Sequence, residues 1–355
     1  MSWRSTTTRT PIGLDVGARW IHAAQLTGRP GAWRLAAATA VPREADGCQI
    51  SPDEITRLMD VMGRQGFSGR DAVLAVPQEK LISAILELPP RDSGAPVAQI
   101  ARMELASMHR LDPAALELSY WDLPETSRQR ESSRVMAAAC MHGDADEYLN
   151  LFESRGLNIT ALDTSSAAVA RVCDLSGASR QEIVPVLDLG WRSARLALLY
   201  QDVIIYERQL TDAGINMLWQ GLAARLEIEA EVTDYLLNEV GLRDGDEAAE
   251  TPQLGEIHTE IREHFEDAVR ELGVSFSYAL HQYNDAVVGP LSLVGGGAAI
   301  PGLAEHLASE LGMKVHAATP ALYAERGQIL QKLGGSPALC QAMGLALHGR
   351  GGAAA

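Results

Sequence analysis

The 355-residue chain is short of aromatic side chains, which make up 5% of it, and short of cations, with 30 Lys and Arg against 46 Asp and Glu. The resulting net charge of −16 argues against a nucleic-acid binder, because phosphate affinity rests on dense Lys and Arg. Cys48, Cys140, Cys173 and Cys340 lie far apart and form no CxxC pair. They therefore offer neither a zinc pattern nor a disulfide framework, and a reducing cytoplasm is the expected compartment. No segment has the roughly 18–20 consecutive apolar residues of a membrane span, and the opening MSWRSTTTRTPIGLD has no apolar core of a signal peptide. A soluble intracellular protein is expected. GxxxxGK[ST] and GxGxxG are both absent, which removes support for P-loop and Rossmann readings. No GxSxG elbow or Cys/His pairing marks a nucleophile. His258 and His264 lack the spacing of HExxH and read as helix surface. Asn158-Ile159-Thr160 matches a glycosylation sequon, which carries no meaning in a cytoplasmic chain.

What is present is an ordinary globular balance, with 46% hydrophobic and 21% charged residues. The length suggests two or more lobes, packed mainly by Ala, Leu, Val and Ile. The pattern opens on three short strands, Ile12–Val16, Ile21–Leu26 and Trp33–Val41, joined as a meander. Ser51-Pro52-Asp53-Glu54 starts a helix, and Ala72–Val76 is a further strand. Between Pro77 and Phe152 come strands at Leu81–Leu88, Leu116–Trp121 and Arg134–Met141, a helix at Val97–His109, and an exposed hairpin loop at Pro124–Ser133. The helix Asp144–Ser154 and the strand Leu157–Leu162 lead back to the parent sheet.

Near residue 183 the opening pattern returns: Ile183–Leu189 is followed by strands Ala194–Tyr200 and Val203–Gln209, the last two joined by a turn at Gln201-Asp202. Asp188-Leu189-Gly190 thus matches Asp15-Val16-Gly17, 173 residues apart, which indicates a duplicated domain rather than the short periods of a solenoid. Helices are expected at Ile215–Leu226 and Ala230–Val240, and a long one from about Leu254 carries an apolar stripe that includes Ile257, Ile261, Phe265, Leu272, Phe276, Leu280 and Tyr283. The strand Leu291–Val294 runs into Gly295-Gly296-Gly297, and a helix follows from Leu303 to Leu311. Charge is uneven, since residues 225–271 hold 15 acids and 4 bases.

Asp15 and Asp188 each end an apolar strand two residues before a glycine. A carboxylate there can orient a hydrated divalent cation, while the glycine lets backbone approach phosphate oxygens. The Gly295–Gly297 run between strand and helix can pack against a flat ligand or a phosphate, although a plain flexible connection reads equally well from these residues alone. Trp20 and Trp191, at the two acidic turns, read as packing residues, with a pocket-lining role as the alternative.

Together, two Asp-x-Gly hairpins and a C-terminal Gly-Gly-Gly turn resemble the two phosphate motifs and the adenosine motif of the actin-like ATPase superfamily. Within it the chain resembles the PilM family of type IV pilus assembly, along Ile12–Gly17, Val73–Pro77, Ala101–Leu123, Tyr148–Leu157, Leu293–Leu303 and Ala342–Ala346. The resemblance implies an α/β fold: a duplicated actin-like, ribonuclease H-like architecture with an inserted subdomain of the FtsA/PilM type. Its units would be residues 1–76 and 156–182 for the first lobe, 77–155 for the insertion, 183–348 for the second lobe with the acidic 225–271 on its outside, and a tail at 349–355. It also implies ATP with Mg²⁺ between the lobes. Asp15 and Asp188 would face the metal through water, Gly17, Ala18, Arg19, Trp20, Gly190 and Gly214 would lie about the phosphates, Glu231 would reach the ribose, and Gly295, Gly296 and Gly297 the adenosine.

The first loop departs from the family. Gly17-Ala18-Arg19-Trp20-Ile21-His22 has lost the usual hydroxyls and Lys, and His22 is a poor replacement for a side chain that stays charged at neutral pH. Ala213-Gly214 replaces a Gly-Gly pair, and Asp234 stands where the family has Lys. ATP binding is therefore expected ahead of hydrolysis, and no catalytic residue is assigned. The resemblance further implies a scaffold that takes the N-terminal peptide of a PilN-like inner-membrane protein in a groove beside the insertion, sits at the membrane through that partner, and has the capacity to self-associate. A nucleotide-free pseudo-ATPase and an active ATPase or kinase of the same superfamily are the alternatives.

Overall fold

The computed structural model describes residues 8–30, 32–44, 49–125, 133–173, 179, 181–243, 252–318 and 335–350. Cys48 and most of the hairpin loop expected at Pro124–Ser133 lie outside them, as do parts of the acidic segment and of the tail.

The first sheet takes β1 (Thr8–Arg9), β2 (Ile12–Val16), β3 (Trp20–Arg29), β4 (Ala32–Pro42) and, after helix α1 (Pro52–Arg64), β5 (Asp71–Ala75). The start of α1 is fixed by a capping box, in which the Ser51 side chain accepts from the Glu54 N–H while Glu54 accepts from the Ser51 N–H. The chain then leaves the sheet for β6 (Ile82–Leu88), α2 (Val97–His109), β7 (Leu116–Asp122) and β8 (Ser133–Met141). It returns through α3 (His142–Glu153) to β9 (Asn158–Asp163).

Helix α4 (Ser165–Val172) crosses to the second sheet, of β10 (Glu182–Leu189), β11 (Ala194–Tyr200) and β12 (Val203–Leu210). Gln201 and Asp202 both have positive φ, the primed turn whose twist matches the flanking strands. Then come α5 (Ile215–Leu226), α6 (Ala230–Tyr235), α7 (Pro252–Gln282), β13 (Val287–Val288), β14 (Leu291–Val294), α8 (Leu303–Leu311), β15 (Val315–Ala317) and α9 (Cys340–Ala346).

The two sheets repeat one plan. Each has an antiparallel meander, β4-β3-β2 in one and β12-β11-β10 in the other, continued by two parallel strands, β5-β9 and β14-β15. This is the duplicated α/β architecture expected above. The sheet β6-β8-β7 is separate and wholly antiparallel.

Two details differ from the sequence reading. The helix expected over Ala230–Val240 is α6 followed by a π-helical turn, Leu236–Val240. On α7, Ala279 is buried and Leu280 is 37% exposed, because the stripe advances by three residues after Phe276 and then by four to Tyr283.

Each sheet buries its own apolar core, Leu14, Ile21, Ile55, Leu74 and Phe152 in the first and Leu187, Leu196, Leu218, Ile261, Phe265 and Leu293 in the second. A third core lies between the sheets and is built from α4 and α9, whose Ala167, Ala170, Ala342 and Ala346 meet Leu26 and Leu35 on one side and Val186 and Leu199 on the other. These side chains are small because the two helices touch almost backbone to backbone. A Cβ on Gly344 would stand 1.8 Å from the Ala168 carbonyl oxygen, and one on Gly13 would stand 1.9 Å from that of Ala342. The small sheet leans on the second half: Met136 and Leu123 join the second core, Trp121 donates to the Ile204 carbonyl at 3.0 Å, and Arg134 donates to Gln282 at 3.2 Å.

Candidate functional site

The acidic turn after β2 and its counterpart after β10 face each other across a cavity of about 310 Å³ between the two sheets. That volume is at the lower end for a small-molecule site. Asp15, Gly17, Ala18, Arg19 and Trp20 line it from the first half, and Asp188, Gly190 and Gly295–Gly297 from the second. Two candidates fall elsewhere. Glu231 is exposed one helical turn before Asp234 and does not line the cavity. Gly214 caps α5 beneath the second turn, where a Cβ would meet the Arg192 carbonyl oxygen at 2.2 Å.

Each turn is pinned from behind. The Gly17 N–H closes its hairpin onto the Trp20 carbonyl at 3.0 Å, so this amide is spent within the turn. Arg43 donates to the Gly17 carbonyl at 3.1 Å, and its own N–H reaches the Arg19 carbonyl at 2.8 Å. The Arg43 guanidinium is held in turn by Glu54 at 3.0 Å, with both side chains almost fully buried. The buried Glu54–Arg43 pair thus ties the start of α1 to the first acidic turn.

Asp15 accepts from the Gln341 amide at 2.9 Å, and the buried His22 Nδ1 lies 3.6 Å from its other oxygen without a hydrogen-bond partner. Asp188 is half-buried; desolvation, with the Asp15 charge second, pushes its carboxyl up to about 6 from an ordinary 3.8, and Arg195 only partly offsets this. Gly295, at φ 83°, brings the backbone beside that carboxylate, where a Cβ would stand 2.3 Å from Asp188 Oδ1. At Gly296 a Cβ would meet nothing within 4 Å.

Among the described residues no three acidic, histidine or cysteine side chains converge to ligate a metal directly, so the two carboxylates suit a cation held through its water shell, with the open glycine turn left for a flat ligand. Of the three arginines that line the cavity, Arg192 is exposed in the second turn and the other two are paired with acids. Arg43 is held by Glu54, and Arg19 donates both terminal nitrogens to Asp234, each at 2.9 Å.

The raised Asp188 carboxyl has a measurable consequence. Its folded value exceeds the unfolded one, so the cation-free protein loses stability as pH rises through roughly 4 to 6. Asp188→Asn removes that penalty. In scanning calorimetry without divalent cation it should raise the melting temperature at pH 7.5 by about 2 °C or more and leave it unchanged at pH 4. A loss at pH 7.5 would show that the Asp188 charge is already compensated.

Several lining residues had no signal in the sequence: Gln341 comes from α9, Gln78 and Glu79 from the turn after β5, and Asn238 from the π-helical turn. The Arg19–Asp234 pair had one. A helix that has exchanged a base for an acid and a loop that keeps a lone guanidinium are complementary changes.

A second cavity, of about 570 Å³, lies between the small sheet and the first one. Glu117, Ser119 and Trp121 of β7 line one side, and Ile159–Asp163 of β9 the other. Both strands are outermost in their sheets, since β7 pairs with β8 and β9 with β5 among the described residues. Ile204 of β12 closes one end, and Leu149 of α3 also lines the groove. At its floor Asp163 is held between Arg171 and His348 at 2.5 and 3.0 Å, and although burial alone would raise its carboxyl, these two partners bring it below the ordinary range.

The family model for the type IV pilus assembly protein PilM matches residues 13–350. Among solved structures, a PilM–PilN type IV pilus biogenesis complex is similar at a TM-score of 0.77 and 21% identity, over 96% of this chain and 99% of that one. The ethanolamine utilization protein EutJ from Carboxydothermus hydrogenoformans is similar at 0.54 and 15%, over 96% and 90%. MreB5 of Spiroplasma citri bound to ADP is similar at 0.52 and 11%, over 93% and 94%. No curated protein matches the chain at a significant level.

Proposed function

The chain belongs to the PilM family of type IV pilus assembly proteins, and from that premise we propose that it is a scaffold at the cytoplasmic face of the inner membrane. It takes the N-terminal tail of a PilN-like membrane protein and binds Mg-ATP in the cleft between its halves. The observation that carries this reading is the groove between β7 and β9. Two strand edges without further partners among the described residues flank a largely apolar cavity with a charged floor, the setting in which an extended peptide adds a strand and places alternate side chains in pockets. The similar solved complex is one of PilM with PilN, which supports the choice of partner.

The nucleotide part rests on Asp15, Asp188 and Gly295–Gly297 converging on one cavity. Asp15 and Asp188 would hold the hydrated cation, which neutralises phosphate charge when bound, and the glycine turn would pack against adenosine. Binding rather than turnover is the proposed role, since the first turn, Gly17-Ala18-Arg19-Trp20, carries neither the hydroxyls nor the Lys usual in the family. Residues 77–155 are proposed as the inserted unit that links cleft to groove. Gln78 donates to Ser193 at 3.2 Å beside the cleft, and Trp121 donates to Ile204 at the groove, so a shift of the halves moves both.

Ser119 is exposed, on the groove face of β7, and lies clear of every core. Ser119→Trp should fill the groove and weaken a synthetic tail peptide by about a hundredfold in calorimetric titration, the scale of one lost hot spot. Equal affinity in variant and wild type would place the tail elsewhere.

A further inference from the structure

One side-chain contact in the cleft joins its two halves. Arg19 comes from the first turn and Asp234 from α6, 215 residues later, and they meet in a two-pronged pair with both nitrogen to oxygen distances at 2.9 Å. Neither side is left to find the other by chance. The Asp234 carboxylate is fixed by the indole N–H of Trp219 on α5 at 2.8 Å. The Arg19 guanidinium lies 4.4 Å above the ring of Trp191, in the second turn, and that ring packs edge-to-face on Trp219 at 6.2 Å. A planar cation is thus stacked on the second turn and held by an oriented acid, a geometry that suits Arg and not Lys.

Its position is what gives the pair a function. The guanidinium reaches from the first turn to the Trp191 ring of the second, in the cavity that both turns line and that a phosphate chain would enter if the two turns hold phosphate. We propose that Arg19 and Asp234 form a latch across the cleft, which a nucleotide's phosphate chain opens by drawing Arg19 off Asp234, so that Asp234 sets the affinity and the anion selectivity of the site. This rests on the reading of the cleft as a nucleotide site. A polyphosphate carries more negative charge than one carboxylate and outcompetes it for Arg19. Adenosine, without phosphate, leaves the latch closed. The acid beside Arg19 therefore costs affinity for every phosphorylated ligand and holds the halves together when none is bound. Asp234 is itself held below the ordinary carboxylate range, chiefly by Arg19, so it stays charged and engaged at neutral pH.

The test is calorimetric titration of the full chain with Mg-AMPPNP and with adenosine, for wild type, Asp234→Asn and Asp234→Glu. A near-ultraviolet circular dichroism spectrum confirms that each variant is folded. Asn keeps an oxygen for the Trp219 N–H but gives up the charge that restrains Arg19. Asp234→Asn should bind Mg-AMPPNP about tenfold or more tightly, within the usual range of coupling between sites, with adenosine unchanged. Asp234→Glu, which restores the charge, should return the affinity toward wild type; a merely structural defect would not show that rescue. If Asp234→Asn binds Mg-AMPPNP no better than wild type while both bind it, the latch is overturned and the nucleotide reading stands. If neither wild type nor the uncharged variant binds Mg-AMPPNP, the nucleotide reading itself fails and takes the latch with it.

Discussion

Gly344→Val should lower the folding free energy by more than about 3 kcal/mol, because nothing near residue 344 has room to give. The added Cβ would lie 1.8 Å from the Ala168 carbonyl oxygen and 2.4 Å from its carbon, both backbone atoms of α4. Relief requires moving α4 and α9 apart, and these two helices are what both sheets pack against. Opening them exposes Leu26 and Leu35 on one side and Val186 and Leu199 on the other. Valine is a slightly better helix former than glycine, which offsets only a few tenths of a kcal/mol of this. Gly63→Ala is the control, since a Cβ there meets nothing within 4 Å in α1 and a helical alanine gains up to about 1 kcal/mol over glycine. Urea titration of the two variants separates the cases, and equal midpoints would mean that the joint between the sheets is looser than its small side chains imply.

Acid should remove about 3 kcal/mol of stability through Glu54 alone. Burial by itself would raise this carboxyl, but hydrogen bonds from the Arg43 side chain and from the backbone N–H groups of Ser51 and Glu44 outweigh it and bring it down to about 2 from an ordinary 4.5. The folded value lies below the unfolded one, so the contribution is complete above about pH 4.5 and is lost as pH falls toward 2. Comparing wild type with Glu54→Gln isolates the effect from other carboxylates such as Asp163. The variant should be less stable by about 3 kcal/mol at pH 6, since it leaves Arg43 buried beside a neutral partner, and the gap should close toward pH 2. The same substitution should loosen the Gly17 turn, because Arg43 is what holds the Gly17 carbonyl. A gap that does not change with pH would show that Glu54 acts by packing and not by charge.

Much of this fold is legible in the sequence, for physical reasons that also mark where that legibility ends. The meanders were legible because their strands are apolar and their turns short, and the duplication because the same Asp-x-Gly turn recurs before the same hairpin. Helix α7 was legible as a stripe of 3.6-residue period, with the slip at Ala279 and Leu280 decided by packing. What escaped was the joint. Helices α4 and α9 are rich in Ala, Gly and Ser, so no amphipathic stripe marks them, although they hold the center of the molecule. In the site, residues within a loop motif, Asp15, Gly17, Arg19, Asp188 and Gly295–Gly297, could be found because their neighbors in sequence are their neighbors in space. Gln341 could not, as it reaches Asp15 from 326 residues away. Glu231 and Asp234 divide the same way: a family pattern named the first, and the second is the one that lines the cleft.

The most direct test of the account is to ask where a tail peptide lands. Amide hydrogen exchange should be followed on the full chain with and without a synthetic peptide of the first cytoplasmic residues of its PilN-like partner. If the groove between the two outer strands is the docking site, protection should appear in Leu116–Asp122 or Asn158–Asp163 and vanish in Ser119→Trp. Protection confined to the acidic outer helices, or none at peptide concentrations that saturate binding, would contradict it.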